Sequence, residues 1–134
     1  MASIRKEVSF NVSAEQLWDA VRDVGALHTR LVVGFVTDCH LEGGVRIVTF
    51  ANGLVARELI VDVNDADQRL VWAVVDGQLS HHNASVQVFA DGAQRCRLVW
   101  IADLLPNEMA PAIEAMIEQG LLAMKNTLEQ VAKD

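Results

Sequence analysis

The sequence predicts an α+β fold: a seven-stranded curved antiparallel sheet, two short helices after the first strand, and a long C-terminal helix across the sheet. Three observations carry this reading. From about Val32 to Leu104 apolar residues recur with a period of two, the pattern of half-buried strands. The breaks between those runs are short turn clusters, Gly43-Gly44, Asn52-Gly53, Asp65-Ala66-Asp67, Asp76-Gly77 and Asp91-Gly92. Links this short join antiparallel neighbours, since parallel pairing needs long crossovers. From Met109 to Lys133 the apolar spacing then changes to three and four, the period of a helix face.

Ile4–Val12 reads as the first strand, with Val8, Phe10 and Val12 alternating against Glu7, Ser9 and Asn11. Ser13 stands three residues before Gln16, the spacing of a capping box, and opens a helix from about Ala14 to Arg22. Leu17, Trp18 and Val21 form its apolar stripe. Val24–Leu31 is a second short helix, weakened by Gly25. Six more strands follow, at about Val32–Glu42, Val45–Phe50, Val55–Val63, Gln68–Val75, His81–Phe89 and Gln94–Leu104. Pro106 and Pro111 bracket the entry to the last helix, which runs for about 35 Å and can cross the sheet. The 134 residues suit one ligand-binding-sized domain over 1–134, and no repeat or linker divides them.

Charge and composition exclude several classes. Eleven basic against eighteen acidic residues give a net charge of −7, which argues against a nucleic-acid partner. No apolar run reaches the length of a membrane span, and Met1–Glu7 lacks the apolar core of a signal peptide, so the expected location is cytoplasmic. Cys39 and Cys96 read as strand thiols. A homodimer is allowed but not selected over a monomer.

Polar residues inside apolar strands hint at a cavity between sheet and helix. Arg57 and Glu58 are strand neighbours and point to opposite faces. Glu58 is either solvated or an acid presented to a cavity, where burial raises its pKa and lets it hold or exchange a proton. His81, Asn83 and Ser85 share one face of the sixth strand, and His82 shares the other with Ala84. Trp72, Trp100, Met116 and Met124 are core packing or the wall of an apolar pocket. Gly120 is a tolerated glycine or a thinning of the helix where it crosses a ligand, and His28 is a surface histidine or flanks a pocket mouth. Neither the histidines nor Asp38 and His40 have the spacing of a closed metal site. There is no nucleophile elbow, and Gly43-Gly44 leads into a strand, so no metal and no cofactor are expected.

Element order and local motifs together resemble the helix-grip superfamily of START and Bet v 1-like (SRPBCC) proteins, and most nearly its small bacterial polyketide cyclase/dehydratase-like branch. The carriers are Val12–Trp18, Gly25–His28, Leu41–Arg46, Arg57–Leu59, the acidic hairpin Asp65–Leu70, and Trp100 with Pro106. The resemblance implies a cavity holding a small hydrophobic or aromatic molecule. By similarity to abscisic-acid receptors it implies Glu58 as a pocket carboxylate, Asn83 in place of a pocket tyrosine, and Ser85 as a pocket serine. The chain departs from related bacterial proteins after His28, where Thr29-Arg30-Leu31-Val32 replaces an aromatic residue and a proline.

The expected ligand-binding set is therefore Glu58, Trp72, His81, Asn83, Ser85, Trp100, Met116, Gly120 and Met124, with Glu58, His81 and His28 as candidates for proton transfer. Three functions compete: carriage of a small apolar ligand, polyketide cyclase/dehydratase-like catalysis, and a partner-binding scaffold with a filled interior.

Overall fold

In a computed structural model, residues 2–75 and 77–133 are described, those of 131–133 by their backbone only. β1 (Ala2–Phe10) leads into α1 (Ala14–Arg22) and a π-helical segment (Leu27–Leu31). β2 (Val36–Glu42), β3 (Val45–Phe50), β4 (Val55–Asn64), β5 (Arg69–Val74), β6 (His81–Ala90) and β7 (Cys96–Leu105) follow. A 3₁₀ turn (Asn107–Met109) then enters α2 (Ala110–Lys133). The seven strands form one sheet in the order β1-β7-β6-β5-β4-β3-β2, with every pair antiparallel. β2 to β7 are thus a meander, and β1 joins it beside the last strand.

Local chemistry explains the boundaries. The Ser13 hydroxyl accepts the Gln16 N–H at 3.2 Å and the Gln16 side chain accepts the Ser13 N–H at 3.1 Å, so the capping box forms and stops β1 short of Val12. Strand pairing resumes later than the period of two suggests. Val32 N–H donates to the Leu27 carbonyl at 2.8 Å, closing a π turn, and Phe35 and Val36 N–H both donate back to Val32. Those bonds hold Val32–Phe35 out of the sheet, so β2 begins at Val36 and not at Val32.

α2 lies against one face of the sheet, here called the inner face. Ile117, Leu121, Met124 and Leu128 join a core with Phe10, Leu98 and Leu104 from the strands and Leu17 and Val21 from α1. Lys6 on β1 anchors the crossing from the side, 3.4 Å from Glu114 and 3.0 Å from Glu118. α1 is tied to the β4–β5 hairpin by Asp65, whose Oδ1 accepts the Trp18 indole N–H and Arg22 Nε, each at 2.8 Å. Both cysteines are free and buried. Burial pushes the Cys96 thiol up to about 11, which leaves it protonated and inert at neutral pH. Among the described residues, no helix is long and apolar enough to cross a membrane.

Candidate functional site

Between the inner face, α2 and the segment after α1 lies a cavity of about 520 Å³. Its walls are mostly apolar: Val48, Leu70, Trp72, Val86 and Trp100 from the sheet, Ile113, Met116, Ile117, Gly120 and Met124 from α2, and Leu27, Leu31 and Phe35 across the mouth side. Trp72 and Trp100 meet edge to face, with ring centroids 5.5 Å apart. At Gly120 the helix passes close to that wall. A Cβ there would stand 3.4 Å from the Phe35 ring and 3.6 Å from the Trp100 ring.

The polar part of the cavity is set by one cross-strand row. Arg46 on β3 pairs directly with Glu58 on β4, and Glu58 pairs with Val74 on β5. Arg46 and Glu58 are 2% and 7% exposed. Arg46 Nε donates to Glu58 Oε1 at 2.8 Å, and Nη2 forms an ion pair with the same oxygen at 2.8 Å. Arg46 Nη1 donates to the Val24 carbonyl at 3.3 Å, and the guanidinium sits 5.8 Å from the Trp72 ring centroid. Both nitrogens fall on one carboxylate oxygen, so Oε2 has no partner among the described residues. Desolvation raises the Glu58 pKa, and the charge and hydrogen bonds of Arg46 oppose that rise without cancelling it.

His82 on β6 completes the row. Val74 N–H donates to its Nδ1 at 3.1 Å, which requires a lone pair there and places the ring proton on Nε2. Burial, with a smaller contribution from neighbouring His81, lowers its pKa to about 4. The ring is therefore neutral at pH 7, and its Nε2–H has no partner among the described residues.

Of the residues expected from sequence, Glu58, Trp72, Trp100, Met116, Gly120 and Met124 line this cavity together. His81, Asn83 and Ser85 do not. The β6 residues facing the cavity are His82 and Val86, and strand alternation sends 81, 83 and 85 to the opposite face. His81 and Asn83 are exposed, and Ser85 lines a groove on the outer face. His28 sits half-buried in the π-helical segment and is not part of the cavity wall, although its Nδ1 is buried without a partner among the described residues. Arg46 and His82 are the additions. Arg46 alternates in phase with buried Val48, and His82 with buried Ala84, which was the available signal. No three His, Cys, Asp or Glu side chains cluster as a cation site among the described residues.

The sequence pattern of the polyketide cyclase/dehydrase and lipid transport family matches residues 1–129. The chain belongs to that family. This places it in the helix-grip, START/Bet v 1-like superfamily, with the architecture described above. Similar solved structures include a START superfamily protein from Mycobacterium smegmatis, at TM-score 0.81 and 14% identity over 96% of this chain and 98% of that one. A Thermobifida fusca protein superposes at TM-score 0.78 with 24% identity, covering 97% and 95% of the two chains. Norcoclaurine synthase from Thalictrum flavum, in complex with dopamine and hydroxybenzaldehyde, gives TM-score 0.74 and 19% identity over 98% and 86%. These likenesses establish the fold. A comparison with curated proteins gave no match.

Proposed function

We propose that the protein binds a small hydrophobic or aromatic molecule in the cavity between the sheet and α2. The observation that carries this is an apolar cavity of about 520 Å³ whose buried polar groups are only partly used by the chain itself. Pockets for small ligands combine apolar walls with a few placed polar groups, and this volume lies within their usual range of about 300–1,000 Å³. Among the described residues, Glu58 Oε2 is an unused acceptor and His82 Nε2–H an unused donor. A ligand with an apolar ring system, a hydroxyl for Glu58 and a carbonyl or ether oxygen for His82 satisfies both. The Trp72–Trp100 corner supplies the aromatic wall.

Native mass spectrometry of freshly purified protein tests this, followed by thermal-shift screening with hydroxylated aromatic probes such as naphthols and hydroxyflavones. A co-purifying apolar compound, or a probe whose shift disappears in Gly120→Phe, is the expected result. Failure of every probe to shift the melting temperature, with no bound compound, overturns the reading.

A second reading is catalytic, and one observation favours it. Glu58 and His82 face the same cavity, with burial raising the pKa of the acid and keeping the imidazole a neutral donor through Nε2. A carboxyl whose pKa is raised by burial suits proton transfer, as a cyclase or dehydratase step requires, while a neutral imidazole N–H can stabilise a developing oxyanion. Loss of turnover with retained binding in Glu58→Gln would distinguish catalyst from carrier.

A further inference from the structure

The sheet face turned away from α2 carries a second concavity of about 370 Å³, independent of the inner cavity. Its composition follows from the strand register. Arg5, Ile101, Ser85 and Val71 form one cross-strand row, and Glu7, Val99, Gln87 and Arg69 form the next. Arg97, paired with Phe89, opens a third. Arg5, Arg69 and Arg97 all line the groove, so cations from three different strands surround a floor of Ser85, Val99 and Ile101.

The charges there are not balanced. Glu7 lies 3.5 Å from Arg5 and 3.0 Å from Arg97, while Arg69 has no carboxylate partner among the described residues. Three cations against one carboxylate is an unusual local excess for a chain of net charge −7. At the floor, Ser85 is only 8% exposed and its hydroxyl makes no hydrogen bond among the described residues. The hydroxyl opens to the arginine-rimmed groove, where it is available as a donor. Arg97 is held 4.4 Å over the Phe89 ring, which fixes its fork beside an aromatic wall.

We infer that this outer groove binds a small oxyanion, a phosphate or carboxylate group, carried on a compact apolar body. Guanidinium forks match the planar geometry of such oxygens, and the Ser85 hydroxyl supplies a further donor. Phe89, Val99 and Ile101 offer the apolar contact for the body.

Amide chemical-shift titration at low ionic strength tests the inference, using sodium phosphate, phenyl phosphate and benzoate as probes. Saturable shifts at Ser85, Gln87 and Arg97 are expected, with phenyl phosphate or benzoate binding more tightly than phosphate itself. Preference for phenyl phosphate assigns a phosphate ester and preference for benzoate a carboxylate, and either upholds the site. Arg69→Gln and Ser85→Ala, both on the outer face, should keep the folded spectrum and weaken the preferred probe at least about fivefold. The inference fails if shifts do not saturate by about 20 mM, a limit already weaker than ordinary specific binding. It fails equally if the shifts fall on inner-face residues such as Trp72, or if both variants bind as the parent does.

Discussion

Glu58→Gln should destabilise the protein by about 3 kcal/mol, in the range found when one member of a buried ion pair is removed. The size follows from what Arg46 loses. Its guanidinium is 2% exposed and directs two nitrogens at Glu58 Oε1, each at 2.8 Å. At about 4 Å between charge centres and an effective dielectric near 20, the Coulombic attraction is about 4 kcal/mol. Glutamine keeps the shape and one acceptor oxygen but not the charge. The loss is reduced because an amide is cheaper to bury than a carboxylate, and Arg46 keeps the Val24 carbonyl and the Trp72 face. The double variant Arg46→Met/Glu58→Leu should recover to within about 1 kcal/mol of the parent, since replacing both partners leaves no uncompensated charge. Urea unfolding followed by fluorescence of Trp18, Trp72 and Trp100 reads both values, provided the slope with denaturant is unchanged. A cost below about 0.5 kcal/mol for Glu58→Gln would refute the reasoning, because that is the behaviour of a solvent-screened surface pair. A double variant no better than the single one would refute it as well.

His82 gives the fold a pH dependence of known sign. Its folded pKa of about 4 lies below the unfolded value of 6.5, so the unfolded chain takes up the proton first and stability falls as pH drops from 6.5 toward 4. Allowing for the solvent that reaches the ring, the effect is about 1–2 kcal/mol. Glu58 acts in the opposite direction, its raised pKa costing stability as pH climbs above 4.5, so imidazole NMR of His82 should be used to isolate the histidine. Gly120→Ala should stabilise α2 by about 0.5–1 kcal/mol in thermal or urea unfolding, because the added methyl meets Phe35 and Trp100 at ordinary contact distance. Thr127→Val should cost about 1 kcal/mol, since the Thr127 hydroxyl accepts the Val33 N–H at 3.1 Å while donating to Ala123. Faster hydrogen exchange at Val33 would show that this bond holds the segment before β2.

Much of the architecture was legible because each element carries its own signal. Period-two runs and short turns define a meander, and the Ser13–Gln16 spacing marks where β1 yields to α1. The segment after it was less visible. Val24–Leu31 reads as a short helix and contains the π-helical Leu27–Leu31, but Val32-Val33 has the β-branched character of a strand, and only tertiary contact decides otherwise: Val32 is buried in the core, and Val33 N–H is taken by Thr127 on α2. A bond between residues so distant in sequence leaves no local trace.

The site was legible only in part, and the reason lies in strand geometry. Alternation tells that His81, Asn83 and Ser85 share a face and that His82 belongs to the other, but it does not say which face meets the helix. The deciding information sits in the neighbours. Ala84, Val86 and Val88 are all buried against the core, so His82 must share their side. Ser85 is equally hidden, yet from the other side, beneath a rim of arginines. Arg46 shows the same ambiguity from β3. A lone arginine in a strand reads as solvent-facing until its cross-strand partner proves to be Glu58, and only the register supplies that pairing. Each charge alone would be expelled from an apolar interior, and together they remain there with one carboxylate oxygen unused. Glu58 lines the wall of a cavity within the size range of small-ligand pockets. The simplest physical account of Glu58 is that Arg46 holds it in place so that its second oxygen can be met by a ligand donor.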